Sequence, residues 1–377
     1  MTSTALSREA APTAYAPLTL GVEEEFLLID PARADTAPTV LDVIDRLPAD
    51  LRGRARLELR PSMLELITPV CDDLTKLGAQ LSVARKGAAT AAAGAGATLV
   101  ATGISPGRDS VRDAPPDPRY RQMAERYGVI AQGPALCGCH IHVGVADREL
   151  AVQVCNHLRP WLPVIQAITA NSPLHQAADT GYDSWRTLQL RHWPTVGPTP
   201  FFESAADYEH AVAQLIDTGV LLDEGMVYWY ARLSAKHPTV EIRVGDVCAT
   251  VEEALLVAAL TRGLVATAVE DIGYGIPAPR VSGTLVTAAH WRAARDGMRS
   301  TLIDVRHGRE RPAWSLLHEL VGHVTPALRR HGDDELVAGL LARLRRTGTG
   351  AARQREILGV AGVDAVLASL ATETAGD

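Results

Sequence analysis

Three short runs carry most of the residues whose types and spacing could do chemistry. GVEEEF places Glu23, Glu24 and Glu25 in succession, CGCHIHVGV places His140 and His142 two apart, and TVEIRVGDV pairs Glu241 with Arg243. Along a β-strand alternate side chains share a face, so residues i and i+2 project together, roughly 6–7 Å apart. Glu23 and Glu25 then share one face, with Val22, Glu24, Phe26 and Leu28 on the other. His140 and His142 likewise share a face, opposite Ile141 and Val143. Glu241, Arg243 and Gly245 oppose an apolar face of Val240, Ile242 and Val244, which belongs on a core. A fourth run, MLELITP, sets Glu65 between Leu64 and Leu66, and a carboxylate there is costly to bury unless it is paired or metal-bound.

Alone, GVEEEF also reads as an exposed edge strand with three solvated carboxylates. The four runs together are more informative. Neighbouring strands would give a sheet-floored site with several carboxylates, one or two imidazoles and an arginine. Carboxylates packed so closely repel and rise in pKa unless a cation lies among them. An oxygen-rich donor set with a single imidazole suits Mg²⁺ or Mn²⁺ better than Zn²⁺. Arginine is surplus to metal binding, but it suits a transferring phosphoryl group.

Composition supports the same chemistry. Of 37 basic residues only Lys76, Lys86 and Lys236 are lysine, and no G-x-x-x-x-G-K-[ST] or strand-borne G-x-G-x-x-G occurs. Phosphate handling must therefore rest on arginine and metal. A net charge of −7 argues against broad phosphate neutralisation on nucleic acid. Five cysteines in 377 residues make no disulfide scaffold and suggest a reducing, cytoplasmic setting. No membrane span is expected: Gly87–Ser105 is too weakly apolar, and the run Ala254–Val269 carries Arg262 and suits a buried helix.

The elements that must position these residues follow from pattern and punctuation. Strands are expected over 18–30, 56–60, 63–69, 98–102, 137–145 and 239–247. Helices are expected from Leu74 to Ala93 behind an Asp72 or Asp73 cap, over 118–127, from Asp147 to Ala170 with a kink or split at Pro160 and Pro163, and over 207–219. Thr250 and Glu253 form a capping box that opens another. Residues 1–17 read as a mobile tail, 103–118 as a long loop, 171–204 as an extended excursion, and 288 onward as helical. Short separated strands interleaved with helices indicate an α+β fold. The Thr250 helix and the aromatics between Trp185 and Phe202 suit a core or a homo-oligomer interface, and the sequence leaves both open.

The chain resembles the carboxylate–amine ligase family, the bacterial type 2 glutamate–cysteine ligase group. It does so in GVEEEF, LELITP, CGCHIHVGV, NSPLHQAADTGYDSWR, HWPTVGPTPFF, YWYARLS and TVEIRVGDV, in order from about residue 18 to 360. The family is similar in fold to glutamine synthetases and guanidino kinases. That implies one catalytic domain over 18–377, with a curved, mainly antiparallel sheet, helices on its convex side and the site on the concave face. The resemblance implies that Glu23 and Glu25 bind metal, with Glu65, His140 and Glu241 completing two or three Mg²⁺ sites that bridge the ATP phosphates. It implies that Arg243 neutralises the γ-phosphate, and that His142, Arg186 and Arg232 bind phosphate or substrate. The activity implied is ATP-dependent amide formation through an acyl phosphate between small-molecule acid and amine substrates, glutamate and cysteine by default. A guanidino-type kinase and a non-catalytic binding relative are the alternatives. Two departures bear on the acid and amine pockets: Cys137 and Cys139 flank Gly138 where hydroxyl or apolar residues are commoner, and ATGISPG lacks the histidine of G-x-H-P.

Other motifs carry less. His318 and His323 are five apart, about 140° off on a helix, which does not make a zinc-protease pair. Cys137-x-Cys139 has no second pair, and Arg353-Gln354-Arg355 reads as a solvated helix start.

Overall fold

A long strand, β1 (Leu20–Asp30), organises the molecule, whose computed structural model describes residues 18–376. The expected tail over 1–17 lies outside the described residues. Strands β2 (Ala55–Leu57), β3 (Met63–Ile67), β4 (Gly138–Gly144), β5 (Ala231–Leu233) and β6 (Thr239–Asp246) join it in the antiparallel order β2-β3-β1-β4-β6-β5. Asp35–Thr36 and Thr98–Val100 extend the sheet against the far half of β1.

β1 is therefore central, and the solvated-edge reading of GVEEEF fails. The alternation decides where each carboxylate goes. Glu24 points to the helix layer, 2% exposed, where Arg85 of helix α1 (Leu74–Gly94) grips it with two hydrogen bonds of 2.5 and 3.0 Å. Val22, Ile141, Val143, Val240 and Ile242 pack on that side against helix α4 (Val251–Gly273), one core with Leu256, Leu260 and Leu264. Thr250 and Glu253 close the capping box at its start, and Arg262 inside it is neutralised by Asp333. Helix α2 (Pro118–Tyr127) has the bounds its pattern predicts. Pro160 and Pro163 split the expected 147–170 helix into Arg148–Leu158 and Leu162–Ile168, because proline cannot supply the N–H a helix interior needs.

Three expectations are corrected. The segment after 288 is not wholly helical: Thr301–Asp304 and Arg309–Pro312 form a hairpin, which is too short and too polar to show a strand period. Arg353 is no solvated helix start, since it pairs with Glu253 and Glu373, while Arg355 pairs with Asp179 and Asp183. Finally, Gly245 does not share a face with Arg243. Between Ile242 and Gly245 β6 carries one more residue than β4 opposite it, so Arg243 and Val244 together face His140. A Cβ at Gly245 would meet Thr169 in the helix layer instead.

Among the described residues one stretch, Asp334–Ala375, is apolar and long enough by composition to cross a membrane. It is not one helix. Asp334–Thr347 ends at Gly348, and α5 (Gly350–Ala375) breaks at Gly362 (φ 81°) and folds back. Its two arms are tied by Arg353–Glu373 hydrogen bonds of 2.9 and 3.0 Å. Twenty residues of straight helix would hold those two side chains about 30 Å apart.

Candidate active site

The register of the sheet sorts the candidate residues into three parallel rows on the face away from α1 and α4. Arg56, Glu65 and Glu25 lie opposite one another across β2, β3 and β1. Ile67, Glu23 and His140 form the next row. Gly21, His142, Glu241 and Arg232 form the third, across β1, β4, β6 and β5. These rows floor a cavity of about 1190 Å³. Its lining includes all nine sequence-predicted residues: Glu23, Glu25, Glu65, His140, His142, Arg186, Arg232, Glu241 and Arg243.

The charges on the floor are unevenly balanced. Glu23 accepts a hydrogen bond from His140 Nδ1 at 3.2 Å and lies 3.3 Å from His142 Nε2. Burial would raise its carboxyl, but the two imidazoles outweigh burial and hold it well below the usual range. Glu241 is 2% exposed and lies between two arginines. Arg232 donates to it from Nε and Nη2 at 2.9 and 3.1 Å, and Arg243 donates from Nη1 at 2.7 Å. Here too burial is outweighed, and the arginines keep Glu241 at about 2.

At the other end the carboxylates have no such partners. Burial, followed by the charges of Glu58, Glu23 and Glu25, pushes Glu65 well above its ordinary value. Glu58, between β2 and β3, is pushed to about 8 by burial and by Glu25. Glu58 lines the same cavity and was missed from sequence: the strand expected over 56–60 ends at Leu57, so Glu58 falls in the irregular turn between β2 and β3, where strand alternation assigns it no face. The Nε2 atoms of His140 and His142 are buried without a hydrogen-bond partner. Glu23, His142 and Glu241 bring donor atoms within 4.8 Å of one another. The geometry thus draws His142 into a three-donor set where the sequence reading chose His140.

The arginines differ in how free they are. Arg232 spends its donors on Glu241 and on the carbonyls of Gly225 and Val227 at 2.9 and 2.8 Å. These contacts tie Arg232 to Glu241 and leave it fewer donors for an anion than Arg243 or Arg186 has. Arg243 gives one donor to Glu241 and lies over the Tyr228 ring at 5.3 Å. Arg186, from helix α3 (Trp185–Leu190), is 4% exposed, and its Nε has no partner. A buried guanidinium with an idle donor at a cavity wall has a charge-assisted hydrogen bond still to make.

The profile of glutamate–cysteine ligase family 2 matches residues 19–370. The chain belongs to that family. It is therefore a ligase that forms carbon–nitrogen bonds. A protein of Salinispora arenicola with the provisional name glutamate–cysteine ligase 2 is 56% identical over 95% of this chain and 96% of its own length. One of the same provisional name from Salinispora tropica is 57% identical over 95% of each. Among solved structures, the glutamate–cysteine ligase of Francisella tularensis in complex with AMP aligns with a TM-score of 0.68 at 12% identity, over 96% of this chain and 89% of that one. The bifunctional glutathione synthetase of Pasteurella multocida aligns at 0.69 and 16% identity over 95% of this chain, which spans about half (52%) of that protein. These structural likenesses place the fold of this family member among the ligases.

Proposed function

We propose that the chain uses ATP to join the carboxylate of one amino acid, L-glutamate by default, to the amine of another, L-cysteine by default. The observation that carries this reading is the crowding of Glu23, Glu25, Glu58 and Glu65 in one cavity beside two imidazole nitrogens without hydrogen-bond partners. Such carboxylates repel unless cations lie among them, and the donor set fits Mg²⁺ or Mn²⁺. Glu23, Glu25, Glu58, Glu65 and Glu241, with His140 or His142, would hold the ions. When bound, the ions neutralise the ATP phosphate oxygens.

The chain's own residues supply orientation and charge. An oxygen of the acid's carboxylate attacks the γ-phosphorus, the bond to the β-bridging oxygen breaks, and ADP leaves with an acyl phosphate formed. The amine nitrogen then attacks the acyl carbon and loses a proton, and inorganic phosphate departs. Arg243, steadied by Glu241, turns its remaining donors to the transferring phosphoryl group. Arg186 receives an anionic group of the acid. Holding the reactants in line on a rigid sheet supplies the proximity such a transfer needs.

The test is ADP release from Mg²⁺-ATP across a matrix of amino-acid donors and amine acceptors, with product masses recorded. A signal that needs both partners, with a product equal to their sum minus water, is expected. ADP formed from a single substrate without condensation would replace the ligase with a kinase.

A further inference from the structure

Asp246 closes β6, and its carboxylate is 1% exposed. It accepts hydrogen bonds from the Asn171 backbone N–H at 2.9 Å, the Ser172 hydroxyl at 2.6 Å and the Ser184 hydroxyl at 2.8 Å. Ser184 is also the N-cap of α3, the short helix that carries Arg186, and accepts from the Thr187 N–H. Asp246 is thus tied directly to the element that aims the arginine.

The guanidinium itself lies 3.7 Å from Asp246, Nη1 to Oδ1, within ion-pair distance but beyond a hydrogen bond. Among the described residues no other carboxylate comes within ion-pair distance of it. Asp246 is held by two hydroxyls and an N–H, and at 3.7 Å it attracts Arg186 by charge without taking one of its donors. Arg232 shows the opposite arrangement, with its donors taken by Glu241 and carbonyls. On the floor, Arg186 lies against Gly138, where a Cβ would collide with Nη2. Only glycine lets the guanidinium lie that close to β4.

We propose that Asp246 is a positioning residue for Arg186, holding its guanidinium over Gly138 with the donors free for a carboxylate of the acid substrate. This rests on the assignment of Arg186 as the anion anchor made above. Because β6 gains a residue before Asp246, the same strand aims Arg243 directly and Arg186 through Asp246 into one cavity.

The test is a double-mutant cycle on the full chain, read as KM for L-glutamate at saturating Mg²⁺-ATP and L-cysteine, with unfolding midpoints alongside. Asp246→Asn keeps the size and removes the charge. Asp246→Asn and Arg186→Ala should each raise the glutamate KM at least tenfold and leave the ATP KM within twofold. The double variant should be no worse than Arg186→Ala alone. An Asp246→Asn defect that persists in full on the Arg186→Ala background would overturn the positioning role. An unchanged glutamate KM in Arg186→Ala would instead overturn the anchor assignment. A crystal structure of Asp246→Asn needs no turnover: a guanidinium displaced from Gly138 is expected, and one left in place refutes the inference. Should that variant fail to fold, Gly138→Ala must reproduce the glutamate KM defect, and a normal KM there counts against it.

Discussion

Replacing Glu241 with glutamine removes one charge from a buried cluster of three. The wild-type carboxyl is held at about 2 against an ordinary 4.5, because Arg232 and Arg243 outweigh the effect of burial. Each tenfold change in acidity corresponds to about 1.36 kcal/mol, so the ionised form gains about 3 kcal/mol on folding. Breaking a buried ion pair by removing one partner costs about 3–5 kcal/mol, which agrees. The sign follows from linkage. A depressed carboxyl stabilises fully above its unfolded value of 4.5, and that contribution is lost as pH falls toward 2. Urea unfolding in EDTA should therefore show Glu241→Gln about 3 kcal/mol less stable at pH 7, the gap narrowing to about 1 kcal/mol near pH 3. ADP formation should vanish in the same variant. Equal stability at pH 7, or a gap that stays constant on acidification, would refute the account of Glu241 as an ionised cross-tie.

Arg85→Met should strand Glu24 in the helix layer and cost about 3–5 kcal/mol in urea unfolding, while pairing it with Glu24→Leu should recover most of the loss. His290, whose Nδ1 donates to Gln166 Oε1 at 2.6 Å, is pushed down to about 3 by burial and by Arg191. Below pH 6.5 the unfolded chain takes up a proton that the folded one refuses, so this site should lower stability by about 1.4 kcal/mol per pH unit. Stability profiles from about pH 6.5 to 4.5 should be shallower by that amount in His290→Phe, and identical slopes would sink the assignment. Mg²⁺ at about a hundred times its dissociation constant should stabilise the protein by about 2.7 kcal/mol in thermal unfolding. The double variant Glu58→Gln with Glu65→Gln should lose that response, and a full response there would remove those carboxylates from the metal site.

What the sequence makes legible here is periodicity. The alternation in GVEEEF separates Glu23 and Glu25 from Glu24, and the register confirms it, with Glu25 opposite Glu65 and Glu24 turned to Arg85. His140, His142 and Glu241 are found by the same rule. Where the period fails, so does the reading. Glu58 sits outside any strand, and the bulge in β6 leaves no compositional trace in IRVGD. Arg232 reads as a free cation until its partners are seen, because only tertiary contact spends its donors. Arg353 and a solvated helix start look alike for the same reason.

The extra residue in β6 acts as a parity change. Up to Arg243 the odd-numbered positions of the strand lie on the cavity side of the sheet, and from Val244 the even-numbered ones do. A library that randomised every second codon of this strand to retune substrate choice would therefore sample the site in its first half and the buried core in its second. Deleting one residue there would restore regular alternation, but it would carry Asp246 to the wrong side of the sheet. Any effort to alter selectivity along β6 must count positions from the bulge rather than from the strand's first residue.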